Sequence, residues 1–349
     1  MDETLVFGLF LILPIVFGWL LVLFIRQRRK QKTKASWPQL IAGNALVLFL
    51  LLSLLLLGGE SYFRFIYDAT DSMDYTKVNL RWLQRYWQLN SSQVRDNINY
   101  HFPRHGNARR VTFVGDSFTT GHGVKNVDDR FVNLIRRAHP EWEVHMLAMN
   151  GNDTGDEIKM LLEGLAQNYQ LDQVVLVYCL NDISDLLPER FQAIERIRAD
   201  LAHCGWLRNG SYLINIIYHR YAVRHDPFMK DYFGLVLDAY RGPVWEQQKQ
   251  RLTEFRDLVQ SRGGHLSVVT FPFLHALGPD YKYKFVHDEL NQFWREAKVP
   301  HLDLLPIYAN LPPKQITVNR FDVHPNEYAH SLAADAIDKF LKEQMATTP

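Results

Sequence analysis

Two long apolar segments dominate the first sixty residues of the chain. Residues 5–25 are almost wholly apolar, and residues 40–57 form a second run interrupted only by small or weakly polar side chains such as Gly43, Asn44 and Ser53. Each run is long enough to cross a bilayer as a helix. Neither run has the polar face that a surface helix of a globular protein would show. The pattern therefore predicts two membrane-spanning helices.

The charged residues beside the two runs predict their orientation. The basic stretch 26–34, RQRRKQKTK, lies between the runs, whereas Asp2 and Glu3 precede the first run and Glu60 follows the second. The positive-inside rule places the basic loop in the cytoplasm. A cleaved signal peptide would need a basic leading region and a small-residue cleavage site, and neither is evident. We therefore expect a two-pass membrane anchor at residues 1–59, with the remaining chain on the extracytoplasmic (periplasmic) side.

The next segment, residues 60–108, is mixed in polarity and rich in aromatic side chains. Trp82, Tyr86 and Trp87 are spaced as on one side of a helix. We expect a short helix here that packs on the following domain or on the membrane surface. The segment is predicted to connect the anchor to that domain.

From residue 109 onward, short apolar runs alternate with amphipathic segments. The runs typical of strands are residues 111–114, 144–149, 173–178, 265–271 and 299–305. The segments typical of helices are residues 131–138, 158–166, 244–261 and 326–344. Such alternation predicts an α/β domain with a parallel sheet covered by helices on both faces. Residues 186–240 break the rhythm and are predicted to be a helical insertion.

Charge and cysteine content exclude several classes of protein. The formal net charge is +1 at pH 7, which argues against a nucleic-acid-binding protein, since that function needs a concentrated basic surface. Cys179 and Cys204 are the only cysteines in the sequence, so a disulfide framework or a cysteine-based zinc site is excluded. Two free thiols are the commoner outcome for such a pair, and a bridge between them remains open.

Four polar segments follow or precede the predicted elements in a way that can bring them together. Gly115, Asp116 and Ser117 end the first strand; residues 149–155 (MNGNDTG) and 179–182 (CLND) end the second and third. A fourth segment, DVHPN, stands before the last helix. Because the carboxyl ends of parallel strands share one edge of a sheet, these loops can line one crevice. They supply a hydroxyl, a histidine beside an acid, an amide and a glycine N–H, which together suit acyl transfer.

The same four segments resemble the four blocks of the GDSL/SGNH hydrolase superfamily in their order and position. GDSFTTG matches the first block, and NGNDTGDE, with Gly151, resembles the second. CLND, with Asn181, resembles the third block, and DVHPN, with His324, resembles the last. Each piece alone is short, but the joint match is specific.

This resemblance covers roughly residues 109–180 and 265–345 and leaves the insertion at 186–240 unmatched. It implies the SGNH hydrolase fold, a flavodoxin-like three-layer sandwich with a parallel sheet, over residues 109–349. Two transmembrane helices precede that domain in the predicted architecture.

The resemblance also implies a role for each matched residue. Ser117 would be the nucleophile, His324 the base that takes its proton, and Asp322 the acid that orients His324. The oxyanion hole would consist of the backbone N–H groups of Ser117 and Gly151 and the side-chain amide of Asn181. These roles are physically sound, because a serine hydroxyl needs a base and the tetrahedral oxyanion needs preset donors.

The sequence departs from the superfamily pattern at two positions. The usual spacing puts the acid three residues before the histidine, where this chain has Phe321, whereas Asp322 is two residues before it. The third block usually starts with glycine, and this chain has Cys179 there. We expect Asp322 to act from a different local backbone, and Cys179 to be a small buried side chain rather than a nucleophile.

Other polar residues near these blocks have simpler interpretations. His122 is expected to be a solvated turn residue, and His330 a surface or packing residue of the last helix. No third ligand completes a zinc-like set with them, so we predict no metal and no cofactor. Asp153, Asp156 and Asp182 are expected to be helix caps or turn acids.

The sequence thus predicts a membrane-anchored serine esterase or deacylase that acts through an acyl-serine intermediate. Its partners would be the lipid bilayer and either an ester-bearing small molecule or an envelope polysaccharide. Two alternatives remain open at this point. One is an O-acetyltransferase that passes the acyl group to a cell-envelope glycan, and the other is a non-catalytic glycan-binding or assembly protein with the same fold.

Overall fold

The computed structural model describes residues 2–31, 34–73, 75–104, 106, 108–163 and 169–347. Its helices are α1 (Asp2–Gln31), α2 (Trp37–Ser61), α3 (Lys77–Tyr86), α4 (Ser117–Thr120), α5 (Phe131–Ala138), α6 (Thr154–Glu163), α7 (Pro188–Ala202), α8 (Trp206–Gly210), α9 (Tyr212–His225), α10 (Tyr232–Ala239), α11 (Pro243–Ser261), α12 (Lys284–Glu296), α13 (Leu305–Tyr308), α14 (Pro313–Ile316) and α15 (Glu327–Thr347). Its strands are β1 (Arg109–Gly115), β2 (Trp142–Ala148), β3 (Gln173–Cys179), β4 (His265–Phe271), β5 (His301–Asp303), β6 (Thr317–Asn319) and β7 (Asp322–Pro325).

The chain divides into two compact units. Unit 1 consists of Met1–Ala69, Met73–Trp82 and Glu195–Asp226, and unit 2 of Thr70–Ser72, Leu83–Ile194 and Pro227–Pro349. The middle of the predicted insertion therefore clusters with the N-terminal helices, whereas its two ends belong to unit 2.

Unit 1 is built on the helical pair α1 and α2. These helices contain 30 and 25 residues and include both predicted apolar runs. By length and composition, each is able to cross a membrane. Residues 32 and 33 of the basic stretch between them lie outside the described residues.

A buried carboxylate in unit 1 joins the end of α2 to the start of α9. The Glu60 side chain accepts hydrogen bonds from the backbone N–H groups of Tyr212 and Leu213, at 3.1 and 3.0 Å, and from the Ser211 hydroxyl at 2.6 Å. Arg64 forms a 2.7 Å ion pair with the same carboxylate. Because the first N–H groups of a helix have no partner within it, Glu60 satisfies donors that would otherwise be buried unpaired.

Unit 2 contains a five-stranded parallel sheet in the order β2-β1-β3-β4-β5. This is the flavodoxin-like strand order, so the predicted fold class is confirmed. The strand β3 is buried at six of its seven positions, as expected for a central parallel strand. Two packed helix pairs, α5 with α15 and α6 with α11, flank the sheet.

Most boundaries of the predicted elements agree with the structure within a few residues. Helix α6 begins four residues before the predicted segment 158–166, and residues 164–166 of that prediction lie outside the described residues. The helix α12 was not predicted, although it buries Leu290 and Trp294 on one side.

The aromatic core of unit 2 forms where the sheet meets α5. The ring of Phe131 lies 5.4 Å from Phe113 of β1 and 6.0 Å from Phe271 of β4. His330 of α15 is fully buried and stacks on the same ring at 5.6 Å. Burial, with the nearby Arg130, lowers the pKa of His330 to about 3. His330 is therefore a neutral packing residue, one of the two roles expected for it.

A separate two-stranded sheet carries the last sequence block. Strands β6 and β7 pair antiparallel, with Asn319 opposite Asp322. The prediction of a loop at DVHPN is wrong for residues 322–325, since they form β7. The connection is only two residues long, and the Asn319 side chain accepts a 2.7 Å hydrogen bond from the N–H of Phe321 within it. A tight turn stabilised by an asparagine therefore replaces the expected loop.

Candidate active site

Ser117 lies at the carboxyl edge of the sheet, just beyond the end of β1. At Gly115 a Cβ atom would collide with the Thr119 side chain and would lie 2.9 Å from the carbonyl oxygen of Val177, so only glycine fits there. Asp116 then accepts a 2.8 Å hydrogen bond from the N–H of Phe118, which starts the short helix α4. The strand-to-helix turn thus holds Ser117 in a fixed position two residues beyond β1.

Three of the residues predicted for catalysis form one continuous hydrogen-bond chain. The Ser117 hydroxyl donates to Nε2 of His324 at 2.8 Å. The Nδ1–H of His324 donates to a carboxylate oxygen of Asp322 at 2.5 Å. Ser117 is 9 % exposed, His324 8 % and Asp322 0 %. Because Nδ1 carries the proton, Nε2 presents its lone pair to the serine, which is the protonation state that a general base requires.

The strand geometry of β7 explains how an acid two residues before the histidine reaches it. Side chains at positions i and i+2 of a strand lie on the same face. Asp322 and His324 are such a pair, and both are buried. The backbone N–H of His324 also donates to the Asp322 carboxylate, at 3.1 Å. An acid three residues before, at Phe321, would lie in the turn outside the strand.

The second oxygen of the Asp322 carboxylate has partners of its own. The Thr70 hydroxyl donates to it in a short hydrogen bond, and Nε2 of His122 lies 3.3 Å away. Burial would raise the pKa of Asp322, but its interactions with His324 and His122 hold it well below its usual value. Asp322 is therefore ionised at neutral pH, in spite of its complete burial.

His122 is not the solvated turn residue that the sequence suggested. Its side chain is 1 % exposed, and its ring centre lies 4.5 Å from that of His324. Asn150, which follows the predicted second strand, donates from its amide to Nδ1 of His122 at 3.0 Å. The partner Asp322 is 200 positions away in the sequence, so no local pattern could have revealed the contact. The only sequence signal was the position of His122 five residues after Ser117.

The residues predicted for the oxyanion hole follow three adjacent strands. In the register of the sheet, Gly115 of β1 lies between Ala148 of β2 and Val177 of β3. Gly151 stands three residues beyond Ala148, and Asn181 four residues beyond Val177. Both therefore lie in turns at the same edge of the sheet as the nucleophile loop.

The turn after β2 needs glycine at position 151 for its conformation. Gly151 has a φ of +78°, in the left-handed region, and a Cβ atom there would meet nothing within 4 Å. The backbone, rather than lack of space, therefore selects glycine. In the turn after β3, Asp182 accepts a 2.8 Å hydrogen bond from the N–H of Cys179, which fixes the backbone on both sides of Asn181.

A group of buried carboxyls lies beneath these turns. Burial raises the pKa of Asp116 to about 6. Burial, together with the neighbouring acids, raises the pKa of Glu157 and of Asp182 well above their usual values. Asp182 is the turn acid that the sequence predicted, whereas Asp153 forms a 2.7 Å ion pair with Arg190. Burial and repulsion by the neighbouring acids both disfavour the ionised form of Glu157.

Cys179 ends β3 and is fully buried, as expected for a small packing residue. Burial raises the pKa of its thiol well above the usual value, with further repulsion from Asp116 and Asp182. The thiolate form that a nucleophile needs is therefore absent at neutral pH.

His122, Asp322 and His324 are also the group of described residues whose potential ligand atoms, within 4.8 Å of one another, could hold a metal ion. In the structure these atoms are engaged in the hydrogen bonds given above. The arrangement is that of an acid between two histidines, one of which contacts a serine hydroxyl. Its chemical capacity is proton transfer from that hydroxyl.

Comparison with known proteins finds likeness only at the level of solved structures. No family model matches the sequence, and no curated protein matches it. A putative lipolytic protein of the G-D-S-L family from Desulfitobacterium hafniense shares 11 % identity, over 66 % of this chain and 98 % of that one, with a TM-score of 0.39.

Two esterases give similar values. The psychrotrophic esterase from Pseudoalteromonas sp. shares 13 % identity, over 68 % of this chain and 100 % of that one, with a TM-score of 0.41. An acetylxylan esterase from Geobacillus stearothermophilus shares 15 % identity, over 68 % of this chain and 95 % of that one, also with a TM-score of 0.41. Likeness at this level assigns no activity or substrate to the chain.

Unit 2 nevertheless has the α/β architecture that the four sequence blocks predicted. Its strand order is that of the flavodoxin-like sandwich, and the blocks follow β1, β2 and β3 and form β7. Unit 2 is therefore a flavodoxin-like α/β fold with a serine–histidine–aspartate chain at the carboxyl edge of its sheet.

Proposed function

We propose that this protein is a serine esterase that cleaves its substrate through an acyl-serine intermediate. The observation that carries the proposal is the hydrogen-bond chain from Ser117 to His324, at 2.8 Å, and from His324 to Asp322, at 2.5 Å. A buried, ionised acid behind a histidine that contacts a serine hydroxyl is the arrangement needed for nucleophilic catalysis at neutral pH.

The proposed reaction has two steps of the same kind. In the first, His324 takes the proton of Ser117 while Oγ attacks the ester carbonyl carbon, and the imidazolium then protonates the departing alcohol. In the second, His324 takes a proton from water, the hydroxide attacks the acyl-serine, and the proton returns to Ser117 as the carboxylic acid leaves. Asp322 stabilises the imidazolium that forms in both steps, and remains ionised throughout.

Three groups are proposed to stabilise the oxyanion of each tetrahedral intermediate. They are the backbone N–H groups of Ser117 and Gly151 and the side-chain amide of Asn181. The proposal is supported by their common location at the carboxyl ends of β1, β2 and β3. Donors at fixed positions in a desolvated site contribute more than donors in water, because they need no reorganisation as charge develops.

The enzyme is further proposed to be a two-pass membrane protein with unit 2 on the extracytoplasmic side. Support comes from the length and apolar composition of α1 and α2 and from the basic residues between them, which include Arg26, Arg28, Arg29 and Lys30. Such residues favour the cytoplasmic side of a membrane. An ester-bearing molecule outside the cytoplasm would then be the substrate.

Hydrolysis of p-nitrophenyl acetate by the full-length protein in detergent tests the proposed chemistry. We expect turnover by the wild-type protein and a loss of kcat of about a thousandfold or more in Ser117→Ala, because no other side chain replaces the nucleophile. The matched control is Ser331→Ala, which removes a hydroxyl from α15 that bonds only within its own helix. Turnover by Ser117→Ala at the level of this control would overturn the proposal.

A further inference from the structure

The geometry points to His122 as a positioning residue that fixes the Asp322 carboxylate for catalysis, with Asn150 selecting the required tautomer of His122. This inference rests on the proposed serine esterase chemistry and extends the catalytic chain beyond its three expected members. The full chain runs from Asn150 through His122 and Asp322 to His324 and Ser117.

The tautomer of His122 follows from its neighbours. The Thr120 hydroxyl lies 2.6 Å from the Asn150 side-chain oxygen and 3.1 Å from the carbonyl oxygen of Ser117. The shorter contact assigns its proton to Asn150, whose NH₂ group then faces His122. That NH₂ group donates to Nδ1 of His122 at 3.0 Å, and Nδ1 is therefore an acceptor. The proton of the neutral ring must then be on Nε2, the atom that faces Asp322.

Two acceptors compete for the Nε2–H of His122. The Asp322 carboxylate and the carbonyl oxygen of Asp71 both lie 3.3 Å from Nε2. A carboxylate is the stronger acceptor, because a hydrogen bond to an ionised group is about twice as strong as one between neutral groups. The hydrogen bond to Asp322 is therefore the one that stabilises the negative charge of the buried carboxylate.

His122 contacts the carboxylate oxygen of Asp322 that is not hydrogen-bonded to His324. One oxygen of Asp322 receives both donors from His324, and the other receives Thr70 and faces His122. Rotation of the carboxylate about its last bond would break contacts at both oxygens. His122 and Thr70 thus lock the orientation in which Nδ1 of His324 keeps its proton and Nε2 points to Ser117.

The proposed role requires the His122 ring to be neutral as well as correctly placed. The reaction places a positive charge on His324, whose ring centre is 4.5 Å from that of His122. A neutral donor stabilises the carboxylate without repelling the imidazolium, whereas a second cation would oppose it. The hydrogen bond from Asn150 favours the neutral ring, since Nδ1 would have to lose it on protonation.

A pair of substitutions at His122 separates positioning from simple packing. His122→Gln keeps an N–H near the former Nε2 position, and His122→Leu fills similar space with no donor. For p-nitrophenyl acetate we expect kcat to fall about tenfold to a hundredfold in His122→Leu, which corresponds to the loss of one hydrogen bond to a charged group, with KM within about twofold of wild type. His122→Gln should recover most of the loss.

Matched controls are His265→Leu and His265→Gln, which change an exposed histidine at the start of β4. Both should have wild-type kcat. Equal kcat in His122→Leu and wild type would overturn the inference. Equal losses of kcat in His122→Leu and His122→Gln would also overturn it, provided that a cooperative thermal unfolding transition shows both variants to be folded.

Asn150→Leu provides the test if His122→Leu does not fold. Asn150 is only half-buried and acts on the site through His122, so its replacement is expected to lower kcat about threefold to tenfold with KM unchanged, a smaller loss than for His122 itself. Wild-type kcat in Asn150→Leu would contradict the assigned tautomer.

Failure of this inference is distinguishable from failure of the proposed function. The esterase proposal fails if the wild-type protein does not hydrolyse the ester, or if it hydrolyses the ester equally well without the Ser117 hydroxyl. If hydrolysis depends on Ser117 and the His122 variants retain full kcat, only the positioning role fails.

Discussion

At the residue scale, the chemistry of Ser117 depends on how its neighbours are held. Phe118, the next residue, lies 5.4 Å from the His324 ring and 5.5 Å from Phe271 of β4. The proposed base, His324, is thus connected through Phe118 to the aromatic core around β4. Catalytic contacts are effective only when such packing restricts the side chains to the reactive geometry.

Asn181→Ala tests the proposed oxyanion donor. We expect kcat for p-nitrophenyl acetate to fall about a hundredfold to a thousandfold, because the amide would act only as the oxyanion forms. KM should change little for the same reason. Steady-state kinetics check this, with Asn209→Ala as a control at an asparagine of unit 1. A loss confined to KM would instead assign Asn181 to substrate binding.

The residue scale also shows what a sequence can reveal about a site. Ser117 and His324 belong to short motifs with recognisable neighbours, so they could be predicted. The burial of His122 could not, because it depends on contacts with Asn150 and Asp322 that only the folded chain creates. The spacing of Asp322 was visible, but its explanation required the strand β7.

At the element scale, apolar patterning was informative where elements are regular and buried. β3 and β4 could be predicted because short runs rich in apolar and β-branched residues, QVVLVYC and HLSVVTF, are typical of buried parallel strands. The hairpin of β6 and β7 could not, since its strands contain three and four residues and its turn has no glycine. Short elements of this kind are defined by the surfaces that they pack against.

The first turn of α6 gives a prediction for the pH dependence of stability. Glu157 is fully buried there, and its folded-state pKa is above the ordinary value of 4.5 as a result of burial and repulsion by Asp116. Because this pKa is raised on folding, the contribution of protonated Glu157 to the free energy of unfolding is complete below about pH 4.5. It is lost as the pH rises towards the folded-state pKa. Wild-type Tm should therefore decrease between pH 5 and pH 8.

The variant Glu157→Gln cannot ionise and should reduce that decrease. We expect the Tm difference between Glu157→Gln and wild type to be about 2–4 °C larger at pH 8 than at pH 5. A shift of this size corresponds to roughly 1 kcal/mol in a domain of this size. Thermal unfolding at the two pH values measures the difference. Glu254→Gln, at an exposed position of α11, serves as the control. Parallel Tm profiles for Glu157→Gln and wild type would contradict a raised pKa of Glu157.

At the scale of the whole molecule, the chain combines two units of different character. Unit 1 has long apolar helices and a buried network around Glu60, whereas unit 2 has a parallel sheet and a serine–histidine–aspartate site. The sequence predicted the apolar helices and the parallel sheet, because apolar runs and strand–helix alternation extend over many residues. It did not indicate that residues 195–226 cluster with the N-terminal helices, since that depends on tertiary contacts such as those of Glu60 with the start of α9.

Thiol labelling tests the proposed membrane orientation. In a Cys204→Ser background, Lys342→Cys on α15 should react with an impermeant maleimide in right-side-out membrane vesicles, because unit 2 is expected outside the cytoplasm. Lys30→Cys should react only after detergent is added, since basic residues stay on the cytoplasmic side. The reverse pattern would contradict the orientation, and labelling of both residues in intact vesicles would contradict the two-pass anchor.

The central claim is that Ser117 is an activated nucleophile, and peptide mass spectrometry after reaction with a fluorophosphonate tests it most directly. The serine oxygen would form a bond to phosphorus as fluoride leaves, and this requires His324 to take the proton. We expect a phosphonyl adduct on Ser117 in the wild-type protein, no adduct in Ser117→Ala and a strongly slowed reaction in His324→Ala. An unmodified Ser117 in the folded wild-type protein, or an adduct at another residue, would contradict it.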